Sequence, residues 1–163
     1  MSIDQMKQGG GCPSSAVQQF TKEGEGADVA NRERIGKSSL TQWPVQLALV
    51  PPTAPYFQNA DLVLAADCVP FAYADFHTDF LAGKALAIGC PKLDDIQFYT
   101  EKIAQIIEAS DLKSIQVLYM EVPCCYGIVH AAQQAIQASG KEVPLEVVKI
   151  GVRGDLQDRQ EVA

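Results

Sequence analysis

Cysteine is the residue type in this chain best suited to chemistry, and four of the five cysteines share one local setting. Asp61-Leu-Val-Leu-Ala-Ala-Asp-Cys68, Ala85-Leu-Ala-Ile-Gly-Cys90-Pro91 and Leu118-Tyr-Met-Glu-Val-Pro-Cys124-Cys125-Tyr-Gly127 are apolar runs that each end in a thiol, the last in an adjacent pair. Thiolates ligate zinc and iron-sulfur clusters and serve as nucleophiles, so a shared site at these run ends implies metal, cluster or thiol chemistry. The plain alternative is packing, because cysteine behaves as a small, often buried hydrophobe. For one cysteine packing is the better account; four at equivalent positions favour a shared site.

The apolar runs read as buried strands. If they are parallel neighbours about 4.8 Å apart, the thiols at their ends converge. In an open α/β sheet the carboxyl ends of the strands are where ligands bind. Residues 1–42, rich in Gly, Ser, Gln and charge, read as a flexible arm. Within it Gly9-Gly-Gly-Cys12-Pro13 carries the fifth thiol, a conditional participant at the main site. The folded domain is expected over residues 43–154, with 155–163 a disordered tail. Its strands are expected at Val45–Val50, Leu62–Ala66, Ala85–Ile88, Ser114–Val122 and Pro144–Val152. Helices are expected over Phe71–Leu81, with Phe76, Phe80 and Leu81 facing the sheet, over Ile96–Ala109 behind the capping acids Asp94 and Asp95, and over Ile128–Ser139. Gly83 suits the residue that ends the first of these. Strands alternating with helices through short connections define an α/β fold: a mostly parallel open sheet of about five strands with helices on its faces, in Rossmann-like or flavodoxin-like layering.

The 163 residues, 47% of them hydrophobic, suffice for one domain with a real core. A net charge of −7 supplies no basic patch for phosphate backbones, which argues against nucleic acid as a partner. No apolar run approaches the roughly 20 residues that span a bilayer, and the polar start lacks a signal-peptide pattern, so a cytoplasmic protein is expected. An odd cysteine count in such a setting argues against a disulfide framework. Phosphate-loop, dinucleotide-binding, zinc-protease and nucleophile-elbow motifs are absent, as is Cys-x-x-Cys. Adjacent cysteines suit a cluster, whose separate irons each take one sulfur, better than one tetrahedral zinc. His77 is the one candidate base for a thiol enzyme, although His77, His130, Tyr73, Asp75, Lys92 and Trp43 each fit an ordinary surface or packing role.

Gly10-Gly-Cys-Pro-Ser-Ser15, Gln42-Trp-Pro-Val-Gln-Leu47, Ala65-Ala-Asp-Cys-Val-Pro-Phe-Ala-Tyr73, Asp75-Phe-His77, Gly89-Cys-Pro-Lys-Leu-Asp94 and Val122-Pro-Cys-Cys-Tyr-Gly127 together resemble the C-terminal domain of bacterial and archaeal ferredoxin-like (4Fe-4S) iron-sulfur cluster-binding proteins. The likeness runs from Gly9 to about Gly154. The ferredoxin segment that precedes the domain in that family, with its Cys-x-x-Cys-x-x-Cys-x-x-x-Cys-Pro runs, has no counterpart here. The resemblance therefore implies cluster or metal ligation by Cys12, Cys68, Cys90, Cys124 and Cys125, and a separate ferredoxin or other redox partner protein. The expected function is an iron-sulfur redox protein, most simply with a 4Fe-4S cluster on Cys68, Cys90, Cys124 and Cys125. A structural zinc protein and a thiol enzyme are the alternatives, and a homodimer closing over the site is compatible with any of them.

Overall fold

The computed structural model describes residues 16–20 and 36–162; Cys12 and most of the expected arm lie outside them. A two-residue antiparallel pair, β1 (Gln18–Gln19) and β2 (Gln42–Trp43), precedes a five-stranded sheet. That sheet comprises β3 (Asp61–Ala66), β4 (Ala85–Gly89), β5 (Ser114–Met120), β6 (Leu145–Ile150) and β7 (Leu156–Val162), in the order β4-β3-β5-β6-β7. The first four are parallel and β7 runs antiparallel to β6, which matches the expected mostly parallel α/β sheet.

Alternation along the strands divides two cores. Leu62, Leu64, Ala85, Ala87, Ile115, Val117 and Leu145 face helices α2 (Ile96–Ala109) and α3 (Gly127–Ser139). Val63, Ala65, Leu86, Leu118, Met120, Val148 and Ile150 face Val69, Phe76, Phe80 and Leu81 on the opposite side. Asp95 caps α2 as expected, its carboxylate accepting from the Gln97 and Phe98 amides at 2.9 and 3.4 Å. Gly140 ends α3 at φ +66°, a conformation that suits glycine.

Three expected elements differ. Val45–Val50 is not a strand: Gln46 makes a single parallel bridge to Ile88, then the Leu49 and Val50 amides turn back onto the Gln46 carbonyl. The turn buries Leu47 and Val50 together against the α2 side. The helix expected over Phe71–Leu81 divides into a short α1 (Val69–Ala72) and a π-helical turn (His77–Leu81), because Tyr73 is extended between them. Phe76, Phe80 and Leu81 are nevertheless buried toward the sheet. Residues of the expected disordered tail form β7, paired along β6 and tied by an Arg159–Glu146 ion pair. Its residues are almost all exposed, so no hydrophobic alternation marks it as a strand.

The folded unit also begins slightly earlier than residue 43. The buried Gln42 amide donates to the Leu86 carbonyl at 2.8 Å and its oxygen accepts from the Leu86 amide at 2.9 Å. Two residues on, the Ile88 amide and carbonyl bond to the Val45 carbonyl and the Leu47 amide, each at 2.8 Å. Together they close the outer edge of β4. Gln42→Ala leaves both Leu86 groups buried without partners, and is expected to cost about 2 kcal/mol, read as a lower urea midpoint with an unchanged slope.

Candidate functional site

Strand β3 sits between β4 and β5 in parallel register, Ala65 opposite both Ile88 and Leu118. The three carboxyl ends are therefore level and adjacent. Cys68 lies two residues beyond β3, Cys90 one beyond β4, and Cys124 four beyond β5. The β3–β4 connection covers one face of the sheet, and α2 and α3 cover the other. The strand order thus reverses beside β3, and the crevice between its end and that of β5 is a topological switch point. Cys68 stands on one side of that crevice and the Cys124-Cys125 pair on the other.

Each thiol is held by a turn. The Cys68 carbonyl accepts from the Phe71 and Ala72 amides at 3.2 and 3.1 Å; the Cys90 carbonyl accepts from those of Leu93 and Asp94 at 3.2 and 3.0 Å. Cys124 and Cys125 lie in a 3-10 turn, Pro123–Tyr126, that leads directly into α3. The Cys68 and Cys124 thiols are exposed, Cys90 is half-buried and Cys125 is buried. Burial pushes the Cys125 thiol pKa up, the Met120 amide opposes this by donating to the sulfur at 3.3 Å, and Cys124, Cys68 and Cys90 each raise it further.

Cys90 has further support that its sequence context did not disclose. The fully buried Tyr99 phenol accepts from the Cys90 amide at 3.0 Å and donates to the Asp94 carboxylate. Burial first, then Asp94, push the Tyr99 pKa far up, so the phenol stays protonated as a donor. A Cβ at residue 89 would overlap the phenol, which is why glycine precedes the thiol. Asp67, beside Cys68, has its carboxyl raised by burial and by Asp94, against a bond from Gln46 at 3.5 Å. Tyr99 was legible only as a residue one turn into an amphipathic helix. Asp94, expected only as a cap, instead anchors this network.

Other candidates fall into ordinary roles. His77 Nδ1 accepts from the Ser39 amide at 3.0 Å and its ring lies edge-on to Phe76, so that nitrogen does not serve as a base for a thiol. His130 is exposed on α3, and Lys92 is exposed beside Cys90. Tyr73 donates to Asp79 at 2.7 Å. Phe71 and Leu93, three residues after Cys68 and Cys90, are 92% and 81% exposed, an apolar rim that no core requirement explains. Among the described residues no group of three or more Cys, His, Asp or Glu side chains is placed to hold a metal ion, and no helix is long and apolar enough to cross a membrane.

Parallel strands, helices on both faces and a topological switch point between β3 and β5 define a doubly wound α/β protein. The family model described as a Rossmann-like domain matches residues 54–163, and the chain belongs to that family. The matched span contains Cys68, Cys90, Cys124 and Cys125. An uncharacterized protein of Archaeoglobus fulgidus is 36% identical over 115 residues, covering 71% of this chain and 81% of that protein. No solved structure matches the chain.

The thiol environments predict an order of alkylation in the metal-free protein. With iodoacetamide near pH 8, Cys68 and Cys124 react first and Cys125 roughly tenfold more slowly, since burial and a raised pKa both disfavour its thiolate. Its rate climbs as pH rises further, as peptide mapping by mass spectrometry would show; equal rates for the pair would contradict the buried placement.

Proposed function

We propose that this chain is an iron-sulfur cluster-binding redox protein, with Cys68, Cys90, Cys124 and Cys125 ligating the cluster, most simply of the 4Fe-4S type. The observation that supports the reading is that four cysteines follow the carboxyl ends of three adjacent parallel strands, at one edge of the sheet. The donor set suits the group in its chemistry: it is all sulfur, and it mixes one buried thiol with three more accessible ones. A single zinc asks for four ligands about 2.0–2.3 Å from one point, whereas a cluster spreads its thiolates over several irons. When bound, the cluster would supply one-electron transfer.

The protein's own residues then have definite tasks. The Met120 amide bonds the Cys125 sulfur, and such donors tune redox potential. Tyr99 and Asp94 fix the backbone at Cys90. Val69, Phe76 and Met120 form the apolar shell behind Cys125 and limit water there. Phe71 and Leu93 offer a contact for a ferredoxin or other redox partner. The free thiols suit a reducing compartment, and we place the protein in the cytoplasm on that basis. Cys12 lies outside the described residues and is carried only as a conditional fifth ligand.

Anaerobic purification followed by iron, acid-labile sulfide and zinc analysis, with an absorption spectrum, tests the reading. Brown protein with iron and sulfide is expected, with most of both lost in Cys124→Ser. Stoichiometric zinc in colourless protein would favour the structural class, and metal-free protein that also fails anaerobic reconstitution with iron and sulfide would remove the cluster reading.

A further inference from the structure

A concave site lies on the other side of β5 from Cys68. Its floor is one row of side chains across three strands: Tyr119 on β5 is in register with Lys149 on β6, which is in register with Asp158 on β7. Val147 and Gln160 form the next row, and Val162 closes the end. Its roof is Tyr126, Val129 and Gln133, spaced three and four residues apart along one face of the α3 end. The groove has a volume of about 190 Å³ and is partly open to solvent. It exists because the helices cover β3 to β6 while β7 extends past them, nearly all of it exposed.

We propose that this groove binds a small organic monocarboxylate. Among the described residues Lys149 makes no ion pair, although its charge helps lower the Glu121 pKa and Asp158 stands opposite it; Asp158 accepts from the Arg159 amide at 2.9 Å and the Gln160 amide group at 2.5 Å. The Tyr119 and Tyr126 hydroxyls and the Gln133 amide line the same groove and make no intramolecular hydrogen bond among the described residues, so they are free to donate to a ligand in place of water. The two tyrosine rings meet edge to face at 5.6 Å and, with Val129, Val147 and Val162, make an apolar wall for the body of the ligand. Asp158 sets an upper limit on charge, because a second negative group would face it.

Tyr119 keeps its proton and remains a donor: burial, then Tyr126, Asp158 and Cys125, raise its pKa. Tyr119 and Tyr126 are next in sequence to Met120 and Cys125, whose amide-to-sulfur contact the groove therefore adjoins. The groove itself rests on Lys149 and the tyrosines, and stands independently of the cluster reading.

Benzoate and butyrate are suitable probes, with benzamide as the uncharged control, titrated into the full chain while the methyl resonances of Val129, Val147 and Val162 are followed by NMR. Both acids are expected to give saturable shifts, weakened tenfold or more in Lys149→Gln and weaker still or absent for benzamide. Lys149→Gln removes no internal ion pair, and unchanged resonances elsewhere confirm its fold. Absent saturation with either acid, equal affinity in Lys149→Gln, or benzamide binding as well as benzoate would overturn the proposal. Iron and sulfide content measured on the same sample reports the cluster reading separately, so one result does not decide the other.

Discussion

The parallel pairing of β3 on both of its sides is the constraint on which the rest depends. Parallel neighbours in register end at the same level, and only a central strand can bring two others level with itself. The thiols belong to three separate stretches of sequence, up to 57 residues apart between Cys68 and Cys125, yet they need no loop of unusual length to reach the same edge of the sheet. A one-residue slip of β3 would reverse its alternation between two buried faces, exchanging Val63 and Ala65 with Leu62 and Leu64. The apolar packing of the sheet therefore also fixes the thiol geometry.

Around that frame, polar side chains act where backbone alone does not suffice. The edge of β4 would be open, and Gln42 closes it with a carboxamide that imitates a strand's donor and acceptor. At the end of the same strand, Tyr99 occupies the space that glycine leaves and bonds the next amide. Both devices bear on β4, the outer strand that carries Cys90. The thiols of the inner strands sit on turns held by adjoining backbone, so Cys90 is the one whose position most needs support from other segments.

The sequence was informative where its signals are local and periodic. The β3, β4 and β5 runs, the α2 cap at Asp95, the end of α3 at Ser139 and the burial of Phe76, Phe80 and Leu81 were all legible, because apolar spacing and capping chemistry act over a few residues. The parallel sheet and the thiols' shared edge followed from these. What failed depended on partners distant in sequence. Val45–Val50 has strand-like composition, but its fate was set by Ile88 and by burial of Leu47 and Val50. The polar β7 looks unstructured alone and is a strand only because β6 offers a ladder and Glu146 a charge. Tyr99 and the unpaired groups around Lys149 carry no motif; their roles arise from what the fold brings beside them.

Strand β5 contributes to both candidate sites, through opposite faces. Met120 donates its amide to the Cys125 sulfur and turns its side chain into the α1-side core, while Tyr119 opens onto the groove with Lys149 and Asp158. The Cys124-Tyr126 turn continues the same division, with Cys125 buried toward Met120 and Tyr126 roofing the groove. A ligand in the groove would thus touch the two residues that flank the Met120–Cys125 contact. Because those residues lie on a strand and a helix start already fixed by core packing, the coupling needs no moving loop: an anion held by Lys149 would act on the thiol side through charge alone, by disfavouring added negative charge there. If the thiols carry a redox centre, occupancy of the groove and ease of reduction are linked with a definite sign, the bound carboxylate favouring the oxidised form.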